Sequence, residues 1–282
     1  MKKTFAYIAF ILFITVFFLY VLFPSETVKS YLAFRFSKLA PECRLSIARL
    51  RPAIPPGLSA FGVDIKCRQD EAVSSDRILV NPAYKSILKG RPGIDFDAAL
   101  YGGKVTGTVD FVRTKQHNGL SAALQIKSVD LKPIPIVKTI FRYTVFGLLS
   151  GKIEYRGPFN GNGTGAAHLL AKKCGIEFPT PVIGLASLSF DTMQLELKID
   201  KQRLEIEKLV LKGRDLSVSA AGTVVLALNK LADSRISLKG TLRPSAEIMN
   251  QVGAFFPKKY IGQGGVPFRV TGTFAALNYS FR

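Results

Sequence analysis

Side chains suited to nucleophilic, redox or metal chemistry are few in this chain: three cysteines and two histidines among 282 residues. His117 falls in a polar turn, and His168 in an alternating stretch beside Gly163 and Gly165, settings that predict structural roles. No Cys-x-x-Cys, His-Glu-x-x-His or Gly-x-Ser-x-Gly motif occurs. Gly161, Gly163 and Gly165 resemble a phosphate-cradling loop in spacing. The residues that follow, 166–171, read as strand, and no strand–loop–helix frame surrounds them, so no phosphate site is expected. Acidic residues are sparse and scattered, which provides no carboxylate pair for hydrolysis and no cluster for a cation. The inventory predicts no catalytic residue, no metal and no cofactor.

The cysteines point instead to a covalent staple. Cys43 and Cys67 sit symmetrically about Pro55, inside a break at residues 52–57 that separates two alternating runs (Leu45 and Ile47; Phe61, Val63 and Ile65). Strands paired about that turn would bring the two cysteines opposite each other, with Cα atoms about 4.5–5.5 Å apart, which suits a disulfide. A bridge implies an oxidising compartment. The alternative is a pair of buried free thiols. Cys174 is left over and is expected to be a small core residue.

The elements around these residues begin with an uncharged run over residues 5–23, in which Thr15 is the only polar side chain apart from tyrosine hydroxyls. A bilayer core about 30 Å thick needs about 20 such residues in a helix. A cleaved signal peptide would have a shorter apolar region and a small-x-small site, whereas here the run meets Pro24 and Ser25 with no such site close behind. An uncleaved membrane anchor is therefore expected. Lys2 and Lys3 favour a cytoplasmic N-terminus; Lys29, Arg35 and Lys38 dilute that signal, but a large following domain is translocated largely regardless of its charge.

Val28, Tyr31, Leu32, Phe36 and Leu39 recur at helical spacing, predicting an amphipathic helix that ends near Ala40 and Pro41. Short helices are also expected over residues 83–88, 134–146 and 246–255. The rest reads as strands. Leu195, Leu197 and Ile199 alternate with Glu196, Lys198 and Asp200, and Leu204, Ile206, Leu209 and Leu211 continue after a turn at Lys201 and Gln202. This is the pattern of an antiparallel sheet with one apolar and one solvated face. A glycine flanked by β-formers recurs at Gly107, Gly151, Gly222, Gly240 and Gly272 without a fixed period, so no solenoid is implied. Mid-strand glycines often mark a bulge, a bend or a close approach, and these five are candidate sheet bends. So few helices cannot cover about a dozen strands. The sheet is expected to curl on itself as a barrel, a sandwich or an apolar trough, with Leu195, Leu197, Ile199, Leu204 and Ile206 on its apolar face.

With 39 Lys and Arg against 20 Asp and Glu, the net charge of +19 predicts attraction to polyanions. For a domain tethered to a bilayer the nearest polyanion is the phospholipid surface rather than nucleic acid. Scattered lysines that solubilise strands and discourage edge pairing account for the same surplus.

The order of these features resembles a known family. An apolar span ending in Phe23-Pro24 is followed by the amphipathic helix, a hairpin with Pro55-Pro56-Gly57, a short helix with Leu88-Lys89-Gly90-Arg91-Pro92, and the stretch Ala99-Leu100-Tyr101-Gly102-Gly103-Lys104-Val105-Thr106-Gly107. This resembles protein N of the bacterial type II secretion system and, more loosely, the AsmA-like proteins. The resemblance implies a single-pass bacterial inner-membrane protein with a cytoplasmic tip and span over residues 1–24, an amphipathic helix over 25–41 and a mainly β periplasmic domain over 42–282. It implies a non-catalytic accessory of the secretion apparatus, whose partners are other secretion components. In AsmA-like relatives such a sheet is thought to form a trough for lipid, which implies phospholipid or another acyl-chain lipid as an alternative partner. The resemblance supplies no catalytic residue.

Overall fold

The computed structural model describes residues 2–281 apart from 40, 42, 54–55, 68–70, 114–117, 136, 138–142, 159–161, 183–184, 228–230 and 246–264. Among the described residues two helices open the chain, α1 (Lys2–Val21) and α2 (Ser25–Leu39), and the strands are interrupted by a single helical turn, α3 (Tyr84–Ile87), and by a 3-10 turn (Leu231–Asp233). The strands are β1 (Cys43–Ala53), β2 (Gly57–Cys67), β3 (Glu71–Pro82), β4 (Gly93–Leu100), β5 (Gly103–Arg113), β6 (Asn118–Asp130) and β7 (Thr144–Pro158). They continue as β8 (Thr164–Val182), β9 (Leu185–Asp200), β10 (Arg203–Lys212), β11 (Leu216–Val225), β12 (Arg235–Pro244), β13 (Val266–Thr273) and β14 (Ala276–Phe281).

All 14 strands belong to one antiparallel sheet in which spatial order equals sequence order, β1 through β14. Alternation at period two drives each strand to pair with its predecessor so that apolar residues stay on one face. Tight turns make the meander possible: at the β4–β5 hairpin Tyr101 and Gly102 take φ of 48° and 69°, as a two-residue primed turn demands, and Lys201 takes 55° between β9 and β10. The sheet is not closed, since β1 and β14 do not pair. It is neither a barrel nor a two-sheet sandwich. The accessible surface is 18621 Å², against about 12,000 Å² for a compact chain of this mass.

Two devices secure the first edge. Cys43 and Cys67 face each other in register and are bonded, with Cα atoms 4.0 Å apart. Helix α2 lies along β1, and Lys29 Nζ donates a hydrogen bond to the Ala48 carbonyl at 3.2 Å. Ala48 lies beside Gly62, whose φ is 57°, in a gap of the β1–β2 ladder, so the lysine satisfies a carbonyl the neighbouring strand does not reach.

The helix expected over 134–146 is corrected at its end: Thr144, Val145 and Phe146 begin β7 and pair with Glu177, Ile176 and Gly175 of β8. Two β-branched residues and an aromatic one beside an available strand outweighed the helical spacing of the apolar positions. Residues 136 and 138–142 of that expectation, and all of the one over 246–255, lie outside the described residues. Helix α1 has 20 residues, about 30 Å of rise. Among the described residues no helix is long and apolar enough to cross a membrane. The span expected of α1 thus rests on the sequence.

Candidate functional site

Residues directly opposed across an antiparallel ladder share a face, so the register traces the apolar side of the sheet from edge to edge. One row runs Pro52, Leu58, Val80, Phe96, Gly107, Leu124, Ile153, Ala167, Leu197, Ile206, Gly222, Leu238, Val270, Tyr279. It crosses all 14 strands without a charged residue. A second row, from Leu50 through Ile78, Val105, Gly151, Leu195 and Gly240 to Phe281, is likewise apolar throughout. A third joins Ile94, Val109, Ile199, Leu204, Val224, Ile236 and Gly272.

The structure therefore places Leu195, Leu197, Ile199, Leu204 and Ile206 together on one face, with Lys198 and Asp200 exposed on the other. None of the five is fully buried. Neighbours on the same face half-cover them, and among the described residues no second layer lies over them. The best-buried part of this face, Ala171, Cys174 and Phe190, packs with Leu149, Met193 and Leu211. Fourteen strands spaced about 4.8 Å apart make the face about 65 Å wide, and three rows give an apolar area on the order of 1,000 Å². The largest apolar patch on an ordinary monomer is about 300–600 Å².

The five recurring glycines all belong to this apolar face, and each lies against a larger neighbour. A Cβ at Gly107 would sit 3.0 Å from Phe96 Cε1, and one at Gly240 would sit 2.8 Å from Phe268 Cε1; both phenylalanines are the direct cross-strand partners. Leu169 fills the same place beside Gly151, and Leu238 beside Gly222. Gly272 has a φ of 112° and a Cβ there would strike the Ala276 carbonyl at the last hairpin. Gly107 and Gly240 lie outside the left-handed region, so their common feature with the others is the space they leave on the apolar face rather than one backbone bend. A sheet that curves toward a face crowds the side chains there, and glycine slots under large neighbours relieve that crowding.

The opposite face is polar and internally paired. Lys198 pairs with Glu207, and Lys208 with Glu196 at 3.1 Å. The hydrogen bond from Lys198 to Glu207 and the charge of that carboxylate raise the lysine pKa. A shallow depression of about 570 Å³ over β3–β7 is lined by Asp95, Asp97, Thr106, Gln125, Lys152 and Glu154. Two of its carboxylates are engaged: Thr108 donates to Asp95 at 2.5 Å and Lys104 pairs with Asp97. His168 is exposed on this polar face between Lys152 and Glu196. Among the described residues no group of histidine, cysteine and carboxylate side chains could hold a metal. Gly163 and Gly165 pack against Tyr155 and the β7 backbone at the start of β8, a strand-packing role. His117 and Gly161 lie outside the described residues.

Local alternation predicts the apolar face in β9 and β10. Its continuation through Val80, Phe96, Leu124, Ile153, Leu238 and Val270 depends on register, which no local pattern specifies. The available signal was alternation in β4–β7 as regular as that in β9. Comparison of this chain with protein-family models, curated proteins and solved structures found no match.

Proposed function

We propose that this protein is a non-catalytic, membrane-anchored module that holds acyl-chain lipid on the open apolar face of its sheet. The observation that carries the reading is the pair of uninterrupted apolar rows crossing every strand on a face with no covering layer among the described residues. Such a surface in water calls for an apolar occupant. Flexible alkyl chains suit it because the face offers width but no converging polar groups to orient a rigid ligand.

Helix α1 supports the anchoring half of the proposal. Tyr7, Ile8, Phe10, Ile11, Phe13, Phe17, Phe18, Tyr20 and Val21 are each 47–69% exposed, and residues 5–23 carry no charge on any side of the helix. A helix apolar all round needs an apolar environment all round. With Lys2 and Lys3 in the cytoplasm, the sheet stands on the far side of a bacterial inner membrane, in the oxidising periplasm that keeps a Cys43–Cys67 bond closed. An accessory role in type II secretion, with other components of that apparatus as partners, rests on the sequence resemblance, and the geometry favours the lipid reading over it. The charge surplus is read as facing acidic headgroups, not nucleic acid.

Residues 42–282 purified without detergent should carry phospholipid detectable by mass spectrometry after organic extraction. A delipidated-looking, monodisperse sample from membrane-containing lysate would overturn the lipid reading. The anchor is tested separately: the intact mass of the membrane-extracted protein should retain the N-terminal segment, and a mature chain beginning near Ser25 would refute it.

A further inference from the structure

Helix α2 has two occupied-looking sides but a partner for only one. Val28, Leu32 and Phe36 are half-buried on the side that lies along β1, where Lys29 is tied to the Ala48 carbonyl and to Glu26 at 2.7 Å. The outward stripe is Tyr31, Phe34, Arg35 and Lys38, spaced three and four apart so that they form one surface. Tyr31 and Phe34 are each 56% exposed. Arg35 stacks over the Tyr31 ring at 5.7 Å and Lys38 over the Phe34 ring at 4.5 Å. An exposed stripe of paired aromatic and cationic side chains matches what sits at a membrane–water boundary, where amphipathic rings lie at headgroup depth and Lys or Arg meets phosphate.

Chain connectivity fixes which boundary. Only residues 22–24 separate α1 from α2, so the start of α2 lies within about 14 Å of the end of α1. We propose that the outward stripe of α2 lies in the acidic phospholipid headgroup layer of the bilayer that α1 enters, with Tyr31 and Phe34 set among the lipid and Arg35 and Lys38 on its phosphates. Charge complementarity selects this occupant: the stripe carries two cations and no acid, Glu26 is already paired, and the chain as a whole is +19. The inference rests on α1 being a membrane anchor. Because the inner side of α2 is fixed to β1, the stripe would also set the orientation of the sheet, holding its first edge against the membrane and leaving β14 distal.

The chain contains no tryptophan, so Phe34→Trp in the full-length protein introduces a single indole reporter, with Tyr31→Trp as a second position should the first disturb folding. Each is reconstituted into vesicles of phosphatidylcholine and phosphatidylglycerol, with and without brominated acyl chains. Expected are flotation with the vesicles, a blue-shifted emission and quenching by the brominated lipid. Adding Arg35→Glu and Lys38→Glu should reduce quenching while the protein still floats, as should vesicles of phosphatidylcholine alone. A floating protein whose indole emits as in water, unquenched, overturns the proposal and leaves the anchor standing; that result would reassign the stripe to a protein partner. Quenching unchanged by the charge reversals overturns the headgroup contact. Failure to float overturns the anchor and the stripe together.

Discussion

Cys174, 4% exposed between Ala171 and Phe190, has its thiol pKa raised above the ordinary 9.0. Burial is the largest cause, a hydrogen bond to backbone partly opposes it, and the Asp191 charge adds to it. A raised folded-state pKa means that the stability contributed by the neutral thiol is complete below the ordinary value and lost as pH rises through the raised one. Stability should therefore decline in that alkaline window, and Cys174→Ala should flatten the decline in pH-dependent urea melts. Alkylation of the unreduced protein in denaturant should label Cys174 alone. Reduction would open a loop with a sequence separation of 24, for which chain entropy predicts a loss of about 3.5 kcal/mol. Leu197 tests the apolar face at the same scale. It is half-buried between Ala167 and Ile206 on an open sheet, so Leu197→Asp should cost about 1–3 kcal/mol, leave the domain folded by circular dichroism and abolish co-purifying lipid.

Strands of this sheet depend on their glycines for reasons a propensity scale misses. In β12, Gly240 opposes Phe268, and an added Cβ would meet both the ring and Ala220 Cβ at 2.8 Å, as well as the Ser219 carbonyl. Gly240→Val raises β-propensity yet should destabilise by about 1–3 kcal/mol, because the phenylalanine must leave its slot and the Ser219–Ala220 backbone must also shift. Phe268→Ala in the same background should restore part of that loss, a non-additivity measurable as a double-mutant cycle. Gly240→Val as stable as the parent would show that the slot carries no packing. The first edge shows a different solution to an exposed strand, since α2 covers β1 and Lys29 occupies the Ala48 carbonyl.

At the scale of the whole molecule, a single-layer sheet has too much surface for its mass. A compact domain of about 240 residues has a radius of gyration near 18 Å. Small-angle scattering of residues 42–282 should give a clearly larger value, and a result near 18 Å would show that the sheet closes on itself in solution. In an edge-to-edge meander every strand pairs with its sequence neighbour, which avoids the distant strand pairings of a sandwich, so folding is expected to be faster than for sandwiches of equal size.

The sequence alone determined a mainly β chain with an amphipathic helix before it, the pairing of Cys43 with Cys67 through their symmetry about Pro55, and the apolar side of β9 and β10. All of these are local: alternation has period two, and a hairpin's register follows from its turn. The sequence misplaced the start of β7, because Thr144, Val145 and Phe146 fit either a helical stripe or a strand until β8 supplies ladder partners. Tertiary structure alone decided that the strands form one open layer. Alternation is identical in a barrel, a sandwich and an open sheet, and only the pairing of distant strands, or its absence between β1 and β14, separates them. It alone also put Gly107, Gly151, Gly222, Gly240 and Gly272 on the apolar face opposite larger side chains, because a glycine's neighbour across a ladder is set by register rather than by the residues beside it in the chain.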